Sequence, residues 1–98
     1  RPLGVVRFDL SELEATINLN LCKSARSRGL ASLIIDKSVR RLFAERHILK
    51  VNAFIKPHNI KSIRAFERSG FVFKGNKTVK GNIALHYMLI STRDRVIE

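Results

Sequence analysis

The sequence predicts a mixed α/β domain with a largely antiparallel central sheet, two helices and the element order β-β-α-β-α-β-β. Three observations indicate this class. Residues 14–21 alternate strictly between apolar and polar side chains, as a half-buried strand does. Residues 29–46 instead carry apolar side chains at helical spacing. Strand-like and helix-like segments follow each other along the rest of the chain without a repeat or linker, so residues 1–98 are expected to form a single domain.

The first two strands are expected to form a hairpin. Residues 3–10 are rich in β-branched side chains, and residues 11–14 are expected to turn the chain. The strand at 14–21 has one apolar face, formed by Ala15, Ile17, Leu19 and Leu21. Its other face carries Glu14, Thr16, Asn18 and Asn20. A face this polar is expected to lie against water, a ligand or a part of the protein outside this chain.

The middle of the chain is predicted to form the first helix and the third strand. The helix, over 29–46, has an apolar stripe formed by Ala31, Ile35, Val39, Leu42 and Phe43. The strand, over 48–55, ends before Pro57, because proline cannot donate to a sheet ladder.

The second helix is predicted over 58–70, with Asn59 as its N-cap and Gly70 at its C-terminal cap. Its buried face is expected to contain Ile60, Ile63 and Phe66. Two more strands, at 71–75 and 82–90, are expected to be joined by a turn over 76–81.

Charge and composition limit the classes of function. A formal net charge of +11 predicts an anionic partner: a nucleic acid, a phospholipid surface or a phosphorylated small molecule. No apolar run approaches membrane-spanning length, so no transmembrane helix is predicted, and a membrane is not among the expected partners. A single cysteine, Cys22, suits a reducing compartment, and a cytoplasmic location is expected. The three histidines lack the spacing of metal ligands, so no metal site is predicted. The chain does not begin with Met and is expected to be part of a longer protein.

The segment KSARSRGLAS, residues 23–32, joins the second strand to the first helix. A helix N-terminus has unpaired N–H groups and a partial positive charge, and it binds phosphate readily. Gly29 allows close approach to the backbone, Ser27 can donate a hydrogen bond, and three cations surround them: Lys23, Arg26 and Arg28. Neither a P-loop nor a three-glycine dinucleotide fingerprint is present. The segment is interpreted either as a pyrophosphate site or as an ordinary turn with solvated cations.

Two motifs in this order resemble the GNAT family of acetyl-CoA-dependent N-acetyltransferases. RSRGLA at 26–31 matches the family pattern Q/R-x-x-G-x-G/A. Asn59, Ser62, an aromatic residue at Phe66 and the Gly-Phe pair at 70–71 match the pattern N-x-x-[AS]…Y…GF. The resemblance covers nearly the whole chain but only the later part of the family fold. The first strand and the two helices that usually follow it have no counterpart here.

The resemblance implies that acetyl-CoA is the cofactor and that a neutral amine attacks its thioester directly. It also implies a bulge in the second strand, with the backbone N–H of Leu21 stabilising the oxyanion. The pantetheine arm would lie beside Leu19, Asn20 and Leu21. The pyrophosphate would contact Arg26, Ser27, Arg28, Gly29, Leu30, Ala31 and Ser32. The remaining cofactor contacts would come from Asn59, Ser62 and Phe66.

The chain departs from the family pattern at two positions. The usual general acid is a tyrosine seven residues after the asparagine, but this position is Phe66, which has no proton to donate. A water or another residue replaces it, the step is unassisted, or activity is reduced. Tyr87 is one candidate donor, but its alternation with apolar neighbours in the last strand favours half-buried packing. Glu14 is the candidate base, yet it lies one residue out of step with the family position, which turns a side chain to the opposite face. The alternative interpretation of Glu14 is a solvated carboxylate at a turn.

The acceptor is expected to be a primary amine. The chain most resembles family members that act on nucleotide-linked amino sugars in surface-polysaccharide biosynthesis, and a protein amine is the next choice. Two other functions remain open. A basic nucleic-acid-binding module explains the charge but not the glycine placement or the spacing of Asn59, Phe66 and Phe71, so nucleic acid is not the expected partner. The second of these functions is that of a GNAT fold that binds acetyl-CoA without turnover. Association into a homodimer is one way to cover the polar strand face.

Overall fold

The computed structural model describes residues 4–21 and 29–91. Within them the predicted class and element order are confirmed. The elements are β1 (Gly4–Ser11), β2 (Glu14–Leu21), α1 (Ala31–Glu45), β3 (Lys50–Ile55), α2 (Ile60–Arg68), β4 (Val72–Val79) and β5 (Asn82–Ile90). No helix in this described part is long and apolar enough to cross a membrane.

The five strands form one sheet in the order β1-β2-β3-β5-β4. Each neighbouring pair is antiparallel except β2 and β3, which are parallel because α1 connects them. The strand residues of the core cluster all lie on one face of the sheet, together with the buried residues of both helices. We call the opposite face the open face, because no described helix packs on it. Its residues include Glu14, Thr16, Asn18, Asn20, Lys50, Asn52, Phe54, His86 and Met88.

The β4–β5 hairpin differs from the prediction. The turn expected over 76–81 is only Lys80–Gly81, and β4 continues in register with β5 as far as the Val79–Asn82 pair. Lys80 and Gly81 have φ values of 51° and 80°, the conformation typical of a tight two-residue hairpin turn. Gly75, the last residue of the strand predicted over 71–75, lies inside β4 and has φ 134° beside a shift in the β4–β5 register.

Helix boundaries also differ slightly from the prediction. α1 begins at Ala31 rather than 29, because Gly29 has a left-handed φ of 69°. Its predicted apolar stripe is confirmed: Ile35, Val39 and Leu42 are buried, and Ala31 and Phe43 pack against them. In α2 the expected burial of Ile60 is wrong, since that side chain is 50% exposed. At about 100° per residue, Ile60 lies about 120° around the helix from buried Phe66.

Candidate functional site

The two parallel strands in the middle of the sheet separate part of the way along their length. Among the described residues β2 pairs with β3 only from Glu14–Lys50 to Thr16–Asn52, whereas β2 stays paired with β1 as far as Leu21. A cleft of about 430 Å³ opens where the strands part. Its walls are β2, the end of β3 and the first turns of α2.

The β1–β2 register determines which backbone groups face this cleft. Ser11 and Glu14 flank a two-residue turn, so they form a hydrogen-bonded pair, and bonded and non-bonded pairs alternate from there. Thr16, Asn18 and Asn20 therefore bond to β1 through their backbones. The backbone N–H groups of the alternate residues Ile17, Leu19 and Leu21 point away from β1. The ladder that ends at the Thr16–Asn52 pair uses the Ile17 N–H, so those of Leu19 and Leu21 lie beyond it on the edge of β2 that borders the cleft.

The bulge that the family resemblance implied in this strand is not seen as a register shift. β1 and β2 pair continuously from Ser11–Glu14 to Gly4–Leu21. The free edge of β2 arises instead because β3 diverges after Asn52. The backbone donors of β2 thus become available through the separation of two strands, with the β1 ladder intact.

The N-terminus of α1 has no side-chain cap among the described residues. Its N-cap is Leu30, which cannot accept a hydrogen bond through its side chain, and its first turn contains no acidic residue. The first intrahelical bond runs from Ile34 N to Leu30 O, 3.0 Å, so the earlier amides of Ala31, Ser32 and Leu33 have no partner within the helix.

The backbone conformation favours glycine at position 29, because its φ of 69° lies in the left-handed region. Space is not the reason, since a Cβ there would meet nothing within 4 Å. Ser32 accepts a hydrogen bond at its carbonyl oxygen from Ser69 Oγ, 3.2 Å, which ties the start of α1 to the end of α2. The other expected pyrophosphate contacts, Arg26, Ser27 and Arg28, lie outside the described residues, as do Lys23 and Cys22.

The start of α2 forms one wall of the cleft. Asn59 is its N-cap, as predicted, and its Oδ1 accepts a bond from Ser62 N, 3.4 Å. The cap uses the carbonyl oxygen of the Asn59 side chain, which leaves the Nδ2 group as a donor toward the cleft. Ser62 is half-buried in the same wall.

Phe66 lies in the cleft wall and is only 4% exposed. The end of α2 holds it there through a Schellman motif. Phe71 N donates to Phe66 O, 3.0 Å, and Gly70 N donates to Glu67 O, 3.1 Å, with Gly70 at φ 93°. The rings of Phe66 and Phe71 then pack edge to face at 5.0 Å between centroids. The Gly-Phe pair that suggested the family therefore has a structural role in fixing Phe66.

Tyr87 lies on the helix-covered face and is buried rather than half-buried. Its hydroxyl donates to Glu67 Oε2 at 2.8 Å, so it points toward α2. Burial, with a further contribution from the Glu67 carboxylate, raises the pKa of Tyr87. Its proton is therefore held on the helix side of the sheet, and Tyr87 is not among the residues that line the cleft.

Three polar side chains form a continuous row across the open face, which we call the polar row: Glu14, Asn52 and His86. Asn52 Nδ2 donates to Glu14 Oε1 at 2.9 Å, and His86 Nε2 lies 2.8 Å from Asn52 Oδ1. The His86 ring stacks on Phe54, 4.9 Å between centroids, and Phe54 lines the cleft.

Burial is the main cause that lowers the pKa of His86, followed by Lys77; Glu14 acts in the opposite direction and Lys74 in the same one. Sequence reasoning identified Glu14 but missed Asn52 and His86. The available signal was a polar residue in the middle of each of two apolar strands, but periodicity could not show that the two side chains meet.

Comparison with known proteins agrees with this architecture. A family profile described as "Acetyltransferase (GNAT) domain" matches residues 1–72. The chain is similar to an aminoglycoside acetyltransferase AAC(6')-Ib solved with coenzyme A, with a TM-score of 0.84 and 19% identity, covering 100% of this chain and 65% of that one. It is similar to a spermidine N-acetyltransferase SpeG chimera of Vibrio cholerae and hSSAT, with a TM-score of 0.82 and 16% identity, covering 95% and 64%.

A third similar structure is an acetyltransferase (GNAT family) from Bacillus anthracis, with a TM-score of 0.79 and 21% identity, covering 90% of this chain and 58% of that one. No curated protein matches the sequence. The chain spans about two thirds or less of the length of the three solved structures. The profile match extends over most of the chain, and the protein belongs to the GNAT acetyltransferase family.

Proposed function

We propose that this chain forms the cofactor-binding part of an acetyl-CoA-dependent N-acetyltransferase, in which a primary amine attacks directly within a ternary complex. The observation that carries the proposal is the free edge of β2, where the backbone N–H groups of Leu19 and Leu21 point away from β1 beside a cleft between two parallel strands. Membership of the GNAT family and the similarity to a structure solved with coenzyme A support it.

The residues around the cleft fit this cofactor. Acetyl-CoA would supply the acetyl thioester. The edge of β2 at Leu19, Asn20 and Leu21 would hold the pantetheine arm, with the Leu21 N–H donating to the thioester carbonyl. The uncapped start of α1 would bind the pyrophosphate through its amides. The expected contacts at Arg26, Ser27 and Arg28 would surround it, and the wall formed by Asn59, Ser62 and Phe66 would border the arm.

The acceptor is proposed to be a primary amine that approaches from the open face. The similar structures are named for acetyl transfer to an aminoglycoside and to spermidine, which favours a small-molecule amine. The preference for a nucleotide-linked amino sugar finds no support among them, and a protein amine is the other acceptor of this proposal. A cytoplasmic location is part of the proposal, because the chain contains a single cysteine.

Thermal unfolding with and without acetyl-CoA tests cofactor binding. At 100 times the dissociation constant we expect a stabilisation of about 2.7 kcal/mol, and this effect should persist at about 150 mM salt. Duplex DNA is the matched ligand for the electrostatic alternative that the charge of +11 suggests. Stabilisation by DNA that disappears as salt rises, with no effect of acetyl-CoA, would contradict the proposal.

Replacing Leu33 by glutamate tests the phosphate site at the start of α1. Leu33 is 51% exposed in the first turn, so the change costs little packing. A carboxylate there should stabilise the helix by about 0.3–1 kcal/mol through the dipole. It should also repel the pyrophosphate and weaken acetyl-CoA binding about tenfold. Calorimetric titration measures the affinity, with Leu33→Gln as the uncharged control. An unchanged affinity in Leu33→Glu would place the phosphates elsewhere.

A GNAT fold that binds acetyl-CoA without turnover is the second candidate function. The buried phenyl ring of Phe66 in the cleft wall favours it, because no hydroxyl is present at the usual general-acid position. Release of free thiol from acetyl-CoA in the presence of a panel of amines separates the two candidates. Binding without thiol release would support the non-catalytic function.

A further inference from the structure

The middle residue of the polar row, Asn52, lies at the point where the cleft opens. Asn52 pairs with Thr16 at the last described position of the β2–β3 ladder, and Asn52 is only 8% exposed. Beyond this pair the strands separate. His86 lies on the neighbouring strand of the same open face, stacked on a ring that lines the cleft. The row therefore connects β2, β3 and β5 on the open face and borders the cleft through Phe54, although His86 itself is not among the residues that line the cleft.

The hydrogen bonds of the row determine which nitrogen of His86 carries the proton. A carboxylate only accepts hydrogen bonds, so Asn52 directs its Nδ2 group to Glu14 and its Oδ1 to His86. His86 Nε2 must then be the donor to Asn52. In the neutral imidazole the other nitrogen, Nδ1, consequently has the free lone pair. A ring held in one tautomer is suited to accept a proton at a defined atom.

The groups around His86 keep it neutral near pH 7. Lys74 and Lys77 of β4 lower its pKa, Glu14 of β2 raises it, and burial has the largest effect, toward a lower pKa. From β3 the groups in contact with the ring are uncharged: the side-chain amide of Asn52 and the ring of Phe54. An amine-transfer site needs such a neutral acceptor, because the attacking amine must lose a proton.

We propose that Nδ1 of His86 accepts the proton of the acceptor amine through water on the open face, and that Glu14 and Asn52 are positioning residues. This inference rests on the proposed N-acetyltransferase function. As the amine nitrogen bonds to the acetyl carbon, the carbon–sulfur bond breaks and sulfur keeps the electron pair. One proton moves from nitrogen to Nδ1 and then to solvent, and the thiolate takes one proton from solvent.

The tautomer can be measured without any reaction. Long-range ¹H–¹⁵N correlation spectra of the protein, recorded between about pH 5 and 9, should show His86 protonated at Nε2 above its pKa, with that pKa below 6.5. In Glu14→Gln the tautomer preference should weaken, because the neutral amide no longer dictates the orientation of Asn52. A His86 ring protonated at Nδ1 in the wild-type protein would overturn the proposal.

Acetyl transfer from acetyl-CoA to spermidine, followed by thiol release, is the second readout. Wild-type kcat/KM should rise with pH through the pKa of His86. His86→Gln should lose this limb and about 10–100-fold in kcat, while acetyl-CoA still raises the unfolding temperature. Glu14→Gln should reduce kcat about tenfold with the limb retained. His47→Gln changes an exposed histidine between α1 and β3 that is not part of the row; it is the control and should behave as wild type.

The outcomes separate this inference from the proposed function. If the wild type transfers acetyl groups and His86→Gln keeps both its rate and its pH limb, only the assignment of His86 fails. If instead Glu14→Gln removes the limb, Glu14 is itself the base and the assignment also fails. If the wild type neither binds acetyl-CoA nor releases thiol with spermidine, kanamycin or other amines, the proposed function and this inference fail together.

Discussion

Replacing Leu21 by proline is expected to lower kcat for acetyl transfer about 10²–10³-fold while the sheet remains folded. The Leu21 N–H points away from β1 at the edge of β2 that borders the cleft, where it is proposed to stabilise the oxyanion. Loss of one such donor typically has this effect. Leu21 pairs with Gly4 at a non-hydrogen-bonded position, so proline removes no bond of the β1–β2 ladder. Steady-state kinetics and thermal unfolding measure the two properties separately.

The neighbouring position provides a matched control. Asn20 bonds to Val5 through its backbone, so Asn20→Pro removes a ladder bond and should destabilise the protein by about 1–3 kcal/mol. Leu21→Ala retains the N–H and should keep kcat within a few-fold of wild type. If Leu21→Pro were fully active, or if it unfolded as readily as Asn20→Pro, the assignment of this donor to the cleft would be wrong.

Replacing Phe66 by tyrosine is expected to raise kcat about 10²-fold with little change in the KM for acetyl-CoA. Phe66 lies in the cleft wall, so a para hydroxyl added there can reach the leaving thiolate and donate a proton. The ring itself is already held by the Schellman motif and by the contact with Phe71. Thiol release at saturating acetyl-CoA measures the effect.

Phe71→Tyr is the control for a hydroxyl added to a neighbouring ring. Phe71 is 3% exposed and does not line the cleft, so its new hydroxyl would be buried without a partner. We expect a loss of about 1–3 kcal/mol of stability and no gain in rate. An unchanged kcat in Phe66→Tyr would mean that protonation of the thiolate does not limit turnover. The absence of a tyrosine at this position would then not explain a slow enzyme.

The calorimetric experiment on Leu33 and the kinetic experiments test two different parts of the proposed cofactor site. The first tests the start of α1, where the phosphates are proposed to bind, and the second test the edge of β2, where the acetyl group is proposed to lie. A protein that passes the first and fails the second would be a binding protein with a GNAT fold. Success in both would establish the transferase.

Local patterns were sufficient for most elements of this protein. The alternation at 14–21, the stripe around Ile35 and the caps at Asn59 and Gly70 depend on neighbours within a few residues, and the structure reproduces each of them. The prediction was wrong about the end of the fourth strand. The strand was expected to end at Gly75, but its pairing with β5 continues to Val79, with a register shift beside Gly75.

By itself the sequence determined the order of elements, the two faces of β2 and the glycine-containing entry to α1, since periodicity and backbone conformation are local properties. Only the tertiary structure decided that β3 leaves β2 after Asn52, which frees the N–H groups of Leu19 and Leu21, and that Asn52 joins Glu14 to His86. Both depend on how separate strands lie relative to each other. Such contacts between residues far apart in the chain are fixed by the packing of the whole sheet and leave no periodic signal in the segments themselves.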